Sequence, residues 1–320
     1  MSLNGKIILT GKGLHSGQDC KLTIEPCDSP EVLLRSGTNE LPLRELSLSG
    51  TNRGSDYIFP DGTRVRTCEH VFSALAGLGI WSGVRVTVEG GEMPALDGCS
   101  RTVCGELRRY SDVASGSPTL TKGGFRGVIP HPASTCRDAL RGNAGEDVND
   151  LTLGPSPYAG EGSKTSPHNT PYAGKCVNSP VIVYGEATSR FITALPYDGL
   201  RITYMVDYEY IGAQIFDYVQ SPKSYYEDIS CARTFAMQRD IDYLRSHGMA
   251  LGGSLDNAIV IGSTIQAKGG LHWPDEFVRH KVLDLIGDLA AVGMPVNAHI
   301  IAVKAGHELH LKLADKLRGA

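Results

Sequence analysis

Residues 280–288 read His-Lys-Val-Leu-Asp-Leu-Ile-Gly-Asp. On an α-helix, His280, Asp284 and Asp288 fall at i, i+4 and i+8 and form one polar stripe. Val282, Leu283, Leu285, Ile286 and Leu289 cover most of the remaining surface, which is the pattern of a buried helix. Two carboxylates and an imidazole are costly there unless they are paired or hold a metal. An exposed or capped His–Asp ion pair is the plainer alternative, and the aliphatic surroundings weigh against it.

A second polar cluster, Cys68-Glu69-His70, opens another helical segment. Acidic residues favour a first helical turn for electrostatic reasons alone, so the pair gains interest only beside the stripe. Zinc hydrolases use three protein ligands and keep one position for water. His70, His280 and Asp284 would supply those three, with Glu69 as an adjacent carboxylate to take the proton of the water. A third segment, Val303-Lys-Ala-Gly-His307, ends a strand in a glycine turn that presents a histidine. That histidine is either a surface turn residue or a cationic imidazole facing the metal, with Asp288 orienting it and keeping it protonated. Two histidines and one carboxylate also describe a non-haem iron(II) site. His-Glu-x-x-His is absent, which excludes the familiar metalloprotease arrangement.

The elements that must carry these residues follow from periodicity. Strand character appears at 21–25, 31–34 and 83–89 in the first part of the chain, and at 180–184, 191–195, 200–208, 257–262 and 298–304 in the second. Helices are expected at 68–78, with Thr67 as N-cap, at 102–109, over most of 224–245, and at 275–292. Between them, 112–178 is rich in Gly, Pro, Ser, Thr and Asn and reads as a mobile linker or insertion, its His131 and His168 solvated. The organisation expected is an N-terminal domain at 1–111, this insertion, and a C-terminal domain at 179–320. Both halves mix strands and helices without a regular βαβ rhythm, which favours an α+β fold.

Composition narrows the function. With 320 residues, 41% hydrophobic and 21% charged, the chain can fill two cores. A net charge of −4 gives no reason to expect nucleic acid. No apolar run approaches the ~20 residues that span a bilayer, and the N-terminal apolar stretch is too short for a signal peptide. The eight cysteines are scattered without a Cys-x-x-Cys pair, as expected for reduced thiols in a cytoplasmic protein.

Taken together, the segments resemble the zinc-dependent UDP-3-O-acyl-N-acetylglucosamine deacetylases of lipid A biosynthesis. The matching stretches are Thr-Gly-x-Gly-Leu-His-Ser-Gly (10–17), Glu-His-x-x-Ser-Ala-Leu-Ala-Gly-Leu-Gly-Ile (69–80) and Glu-x-Pro-Ala-Leu-Asp-Gly (92–98). They continue with Leu-Pro-Tyr-Asp-Gly (195–199), Ala-Arg-Thr-Phe (232–235), Asp-Glu-Phe-Val-Arg-His-Lys-x-Leu-Asp-x-Ile-Gly-Asp-Leu (275–289) and Lys-x-Gly-His (304–307). The resemblance implies one zinc ion on His70, His280 and Asp284, Glu69 as general base, and His307 as electrostatic stabiliser and general acid backed by Asp288. It further implies Thr234 at the developing oxyanion, Lys281 in the substrate site, and Phe235, Lys304 and Gly306 around the sugar nucleotide. It implies two similar domains, each a small sheet with two helices on one face, the helical layers meeting at the active-site cleft. The expected activity is hydrolysis of the N-acetyl group of acylated UDP-N-acetylglucosamine by a monomer, with release of acetate. A zinc amidohydrolase for another acetylated sugar and a non-catalytic sugar-nucleotide binding module are the alternatives. The chain departs from the family in its long 112–178 segment, at 207–212 and at 51–54.

Overall fold

The structure, a computed structural model, describes residues 3–51, 53–111, 174–186 and 189–319. Apart from 174–178, the expected insertion and its two histidines lie outside the described residues. The first half runs β1 (Ile7–Lys12), β2 (Asp19–Pro26), β3 (Val32–Ser36) and β4 (Asn39–Pro42). A small meander follows, β5 (Ser47–Thr51), β6 (Gly54–Ile58) and β7 (Arg64–Val65). Helix α1 (Glu69–Gly77), strand β8 (Val84–Glu89) and helix α2 (Arg101–Arg109) complete it.

The second half begins with β9 (Lys175–Cys176), β10 (Val181–Tyr184), β11 (Phe191–Leu195), β12 (Leu200–Tyr208) and β13 (Gly212–Val219). Next come the single turn α3 (Pro222–Ser224), a π-helical turn at Tyr225–Ile229, β14 (Phe235–Met237), α4 (Gln238–Ser246), β15 (Ile259–Ile261) and β16 (Ile265–Gln266). Helix α5 (Glu276–Leu289) runs on into a 3-10 turn, and β17 (Val296–Val303) and α6 (His307–Gly319) close the chain.

The two halves share one plan. The first sheet has the order β1-β2-β8-β3-β4 and the second β10-β11-β17-β12-β13, with β9 pairing β17 off the main path. Along both orders the β3–β8 and β12–β17 pairs are parallel and the other neighbours antiparallel. In each, a helix precedes the central strand and a helix follows it. Alternation explains the layers: Val84, Val86 and Val88 of β8 are buried, as are Val296, Ala298, Ile300 and Ala302 of β17, while the intervening residues are more open. The chain is thus α+β, each sheet carrying two helices.

The helical layers meet where α1 packs on α5. Both helices are buried almost all round, and Gly287 allows their closest approach. A Cβ at Gly287 would sit 2.0 Å from the carbonyl oxygen of Glu69. Ser73 adds a tie between the helices, its Oγ donating to the Leu283 carbonyl at 2.7 Å. Residues on either side of 114–170 pack into one compact unit.

One expectation changes and a second is refined. Thr67 is not the N-cap of α1; that place falls to Cys68, and Thr67 adopts a positive φ of 56° with its hydroxyl bonded to Glu92. The 224–245 segment is helical over most of its length, at 224–229 and 238–245, as expected, but a non-helical stretch at 230–237 breaks it. Thr234 instead donates its amide to Gly98, and Phe235–Met237 pairs in parallel with Ile259–Ile261. Tertiary backbone partners override the helical pattern there.

Candidate metal centre and its cavity

His70 lies in the first turn of α1, and His280 and Asp284 lie one turn apart on α5. The Gly287 crossing brings them together. His280 Nε2 is 3.3 Å and His70 Nε2 is 3.7 Å from Asp284 Oδ1, and the two rings stand nearly perpendicular with centroids 5.1 Å apart. One ligand atom from each of the three residues falls within 4.8 Å of the others. The His280 ring is fixed from behind by the Ala232 carbonyl, 3.0 Å from Nδ1, so Nε2 presents its lone pair to the centre. Burial lowers the pKa of both imidazoles, that of His70 to about 3. They are neutral donors rather than partners of an ion pair. Asp284 Oδ1 is buried with no hydrogen-bond partner, although burial of an unpaired carboxylate oxygen is costly. Two neutral nitrogens converging on an orphaned carboxylate oxygen fit a divalent transition-metal ion.

A second set of residues stands beside this one. Glu69 is buried, and its Oε2 accepts the Ser55 amide at 3.0 Å. Burial, with the repulsion of Asp284 and Asp288, raises its pKa to about 7 against the pull of His307, a value suited to a group that accepts and returns a proton at neutral pH. His307 begins α6, and its Nδ1 is 2.9 Å from Asp288 Oδ2. Its Nε2 faces Asp284 Oδ2 at 3.6 Å. Burial opposes its charge, but Asp288, Asp284 and Glu69 outweigh that and raise its pKa to about 9. His307 is therefore a buried cation. Lys281 Nζ donates to Asp284 Oδ2 at 2.7 Å; burial opposes its charge too, and Asp284 holds its pKa above the ordinary value all the same.

These groups open onto a cavity of about 530 Å3. Of the residues expected from the sequence, Glu69, His70, Thr234, Phe235, His280, Lys281, Asp284 and His307 line it. Asp288 stands behind His307. Lys304 and Gly306 do not line it: Lys304 Nζ is paired with Asp207 at 2.6 Å, and the Gly306 carbonyl accepts the amides of Leu309 and His310 at the start of α6. The cavity is also lined by Met237, Ile241, Leu244, Leu255 and Val260 of the β14–α4–β15 insertion, together with its Arg239, Asp240 and Arg245. His15, between β1 and β2, also lines the cavity, and this connection is tied to that insertion where the amides of Leu251 and Gly252 donate to the carbonyls of His15 and Leu14.

Several supporting residues are given no role by the sequence reading. Ser55 Oγ bonds Asp288 Oδ1 and lies 3.1 Å from His307 Nδ1. Arg233 and Glu276 form a buried bidentate pair at 2.8 and 3.1 Å that holds the 232–234 backbone against α5. His310, one turn after His307, could have been found from its i+3 spacing alone.

The family described as UDP-3-O-acyl N-acetylglycosamine deacetylase matches residues 1–119 and 161–319. The chain belongs to this family. It is similar to the UDP-3-O-acyl-N-acetylglucosamine deacetylase of Thermosynechococcus vestitus, with 32% identity covering 98% of this chain and 92% of that protein. The enzyme of the same name from Nitratidesulfovibrio vulgaris is 31% identical over 97% and 84% of the two chains, and that of Histophilus somni 32% over 99% and 88%. The family match spans both helical layers and hence both sources of the candidate ligands. Among the described residues no helix is long and apolar enough to cross a membrane.

Proposed function

We propose that this family member is a zinc-dependent deacetylase that hydrolyses the N-acetyl group of UDP-3-O-acyl-N-acetylglucosamine, releasing acetate at an early step of lipid A biosynthesis. The observation that carries the reading is the orphaned Asp284 Oδ1 between two neutral imidazoles, on the same cavity as Glu69 and a cationic His307. His70, His280 and Asp284 hold the zinc, which when bound supplies Lewis acidity toward water and the acetyl carbonyl. Glu69 accepts the proton of the attacking water. The oxyanion that develops is stabilised by the His307 imidazolium and the Thr234 hydroxyl, each such donor contributing roughly 3 kcal/mol. His307 then delivers a proton to the leaving amine. Lys281 balances the second oxygen of Asp284.

The apolar side chains that the β14–α4–β15 insertion turns to the cavity take the 3-O-acyl chain. Phe235, which stands edge-on to His280, Tyr208 and Phe277, marks the junction of sugar and acyl group. Lys304 and Gly306 contribute to holding the sugar nucleotide from outside the cavity as it stands. The two halves act as domains in a cytoplasmic monomer. The test is to measure bound metal and then acetate release from the acylated UDP-sugar before and after chelation. Activity lost on chelation and restored by zinc supports the reading. Iron as the bound and activating metal, or turnover of free acetylated sugars only, overturns it.

A further inference from the structure

His310 is fully buried on α6, three residues after His307, and does not line the cavity. Its Nδ1 lies 2.7 Å from Asp288 Oδ2, the same oxygen that His307 Nδ1 engages at 2.9 Å. Its Nε2 lies 2.9 Å from the hydroxyl of Tyr204, a fully buried residue of β12 whose O–H donates to the Ala305 carbonyl at 2.9 Å. Asp288, His307 and His310 are close enough to suggest a second metal site. Both rings, however, turn Nδ1 onto one carboxylate that Ser55 also engages, which is a hydrogen-bonded bracket rather than a cage of free lone pairs.

The bracket closes on itself. Tyr204 holds the carbonyl of Ala305, two residues before His307, and touches His310; His310 holds Asp288; Asp288 holds His307. Lys304, at the head of the same turn, has a positive φ of 47°, so the turn is sterically demanding for a residue with a side chain. We propose that His310 and Tyr204 are positioning residues for His307. Together they fix the turn that carries its backbone and the carboxylate that orients its ring, so that Nε2 is kept toward Asp284 and the cavity. This inference rests on the deacetylase reading, in which His307 faces the reacting carbonyl. A misplacement of about 1 Å in such a group can cost ~100-fold in rate.

The experiment compares Tyr204→Phe, His310→Asn and His310→Leu with the parent enzyme, each alone and combined with His307→Gln. Acetate release gives kcat and KM, and nitrogen-edited NMR of the same proteins follows the His307 Nδ1–H resonance, assigned by its loss in His307→Gln. His310→Leu is expected to lower kcat by ~10- to 100-fold with KM nearly unchanged. His310→Asn, whose amide still reaches Asp288, should recover most of that loss. Tyr204→Phe should lower kcat by a smaller factor, and because it removes only one oxygen it decides the matter if His310→Leu does not fold. In the His307→Gln background none of them should cost more, as expected for residues acting through one group. An equal fractional loss in that background, an effect on KM alone, or an unmoved His307 resonance overturns the proposal. If the parent enzyme releases no acetate, the deacetylase reading fails, while the resonance still decides whether the bracket orients His307.

Discussion

Glu69 and His70 are neighbours in sequence with different tasks, and substitution separates them. Glu69→Gln keeps an oxygen for the Ser55 amide but cannot accept a proton. Turnover should fall by ~10²- to 10⁴-fold with metal content unchanged by elemental analysis; loss of metal instead would mean that Glu69 is a ligand. Glu276 gives a prediction in pH. Burial works against its charge, but the Arg233 guanidinium and the His272 amide outweigh it and hold the carboxyl below its ordinary value of 4.5. A depressed carboxyl contributes stability that is present above the unfolded value and lost as pH falls through the folded one. The urea midpoint of the parent should therefore drop below about pH 4.5, whereas Glu276→Gln should start ~3 kcal/mol lower at pH 7 and change less on acidification. Equal acid slopes for the two proteins would remove the pair from this role. His280, Asp284 and Asp288 were legible in the sequence because charge on a nearly all-apolar helix needs a reason. Ser55 and Tyr204 were not, since an isolated hydroxyl looks like any surface residue until its partner arrives, and Arg233 stood in a quoted motif without its pairing to Glu276 being legible. Ser55 and Asp288 are 233 positions apart.

At the level of elements, the α1–α5 crossing sets the geometry of the centre. Alanine at an open helical position would normally favour the helix by ~1 kcal/mol over glycine. At Gly287 the added carbon would fall 2.0 Å from the Glu69 carbonyl oxygen, so α1 must move. Gly287→Ala should destabilise the protein by ~1–3 kcal/mol in denaturant titration and lower turnover as Glu69 and His70 shift. A gain in stability would show that the helices are not in contact there. The strands β8, β12 and β17 could be read in advance because one buried face dictates their alternation, and α5 because it is apolar on nearly every side. The break within the 224–245 stretch could not. Its strand exists only because β15 lies beside it, and the polar sequence of α4 follows directly. The closing helix α6 escaped the reading as well, although its burial of Leu309, Leu313 and Leu317 at four-residue spacing carries a helical signature.

In the whole molecule, one half supplies His70 and Glu69, and the other supplies His280, Asp284 and His307. A metal held only by the folded arrangement stabilises it by mass action, about 2.7 kcal/mol at one hundred times its Kd. Chelation should lower the thermal midpoint and added zinc should restore it, whereas His70→Ala should show little response to either; a midpoint insensitive to zinc would argue against a shared site. Residue types and spacing alone marked 280–288 as a polar stripe on an otherwise apolar, buried helix, made Glu69, His70 and His307 candidate partners, and gave both halves mixed strands and helices, because hydrophobic periodicity is local and the cost of buried charge depends on residue type. The family resemblance assigned the partners their roles. Only the tertiary structure decided how α1 and α5 cross at Gly287, which backbone carbonyl turns His280, and how Tyr204, His310 and Ser55 enclose Asp288. Those contacts join residues distant in the chain, and their energies arise only once both helical layers have packed and water has been excluded between them.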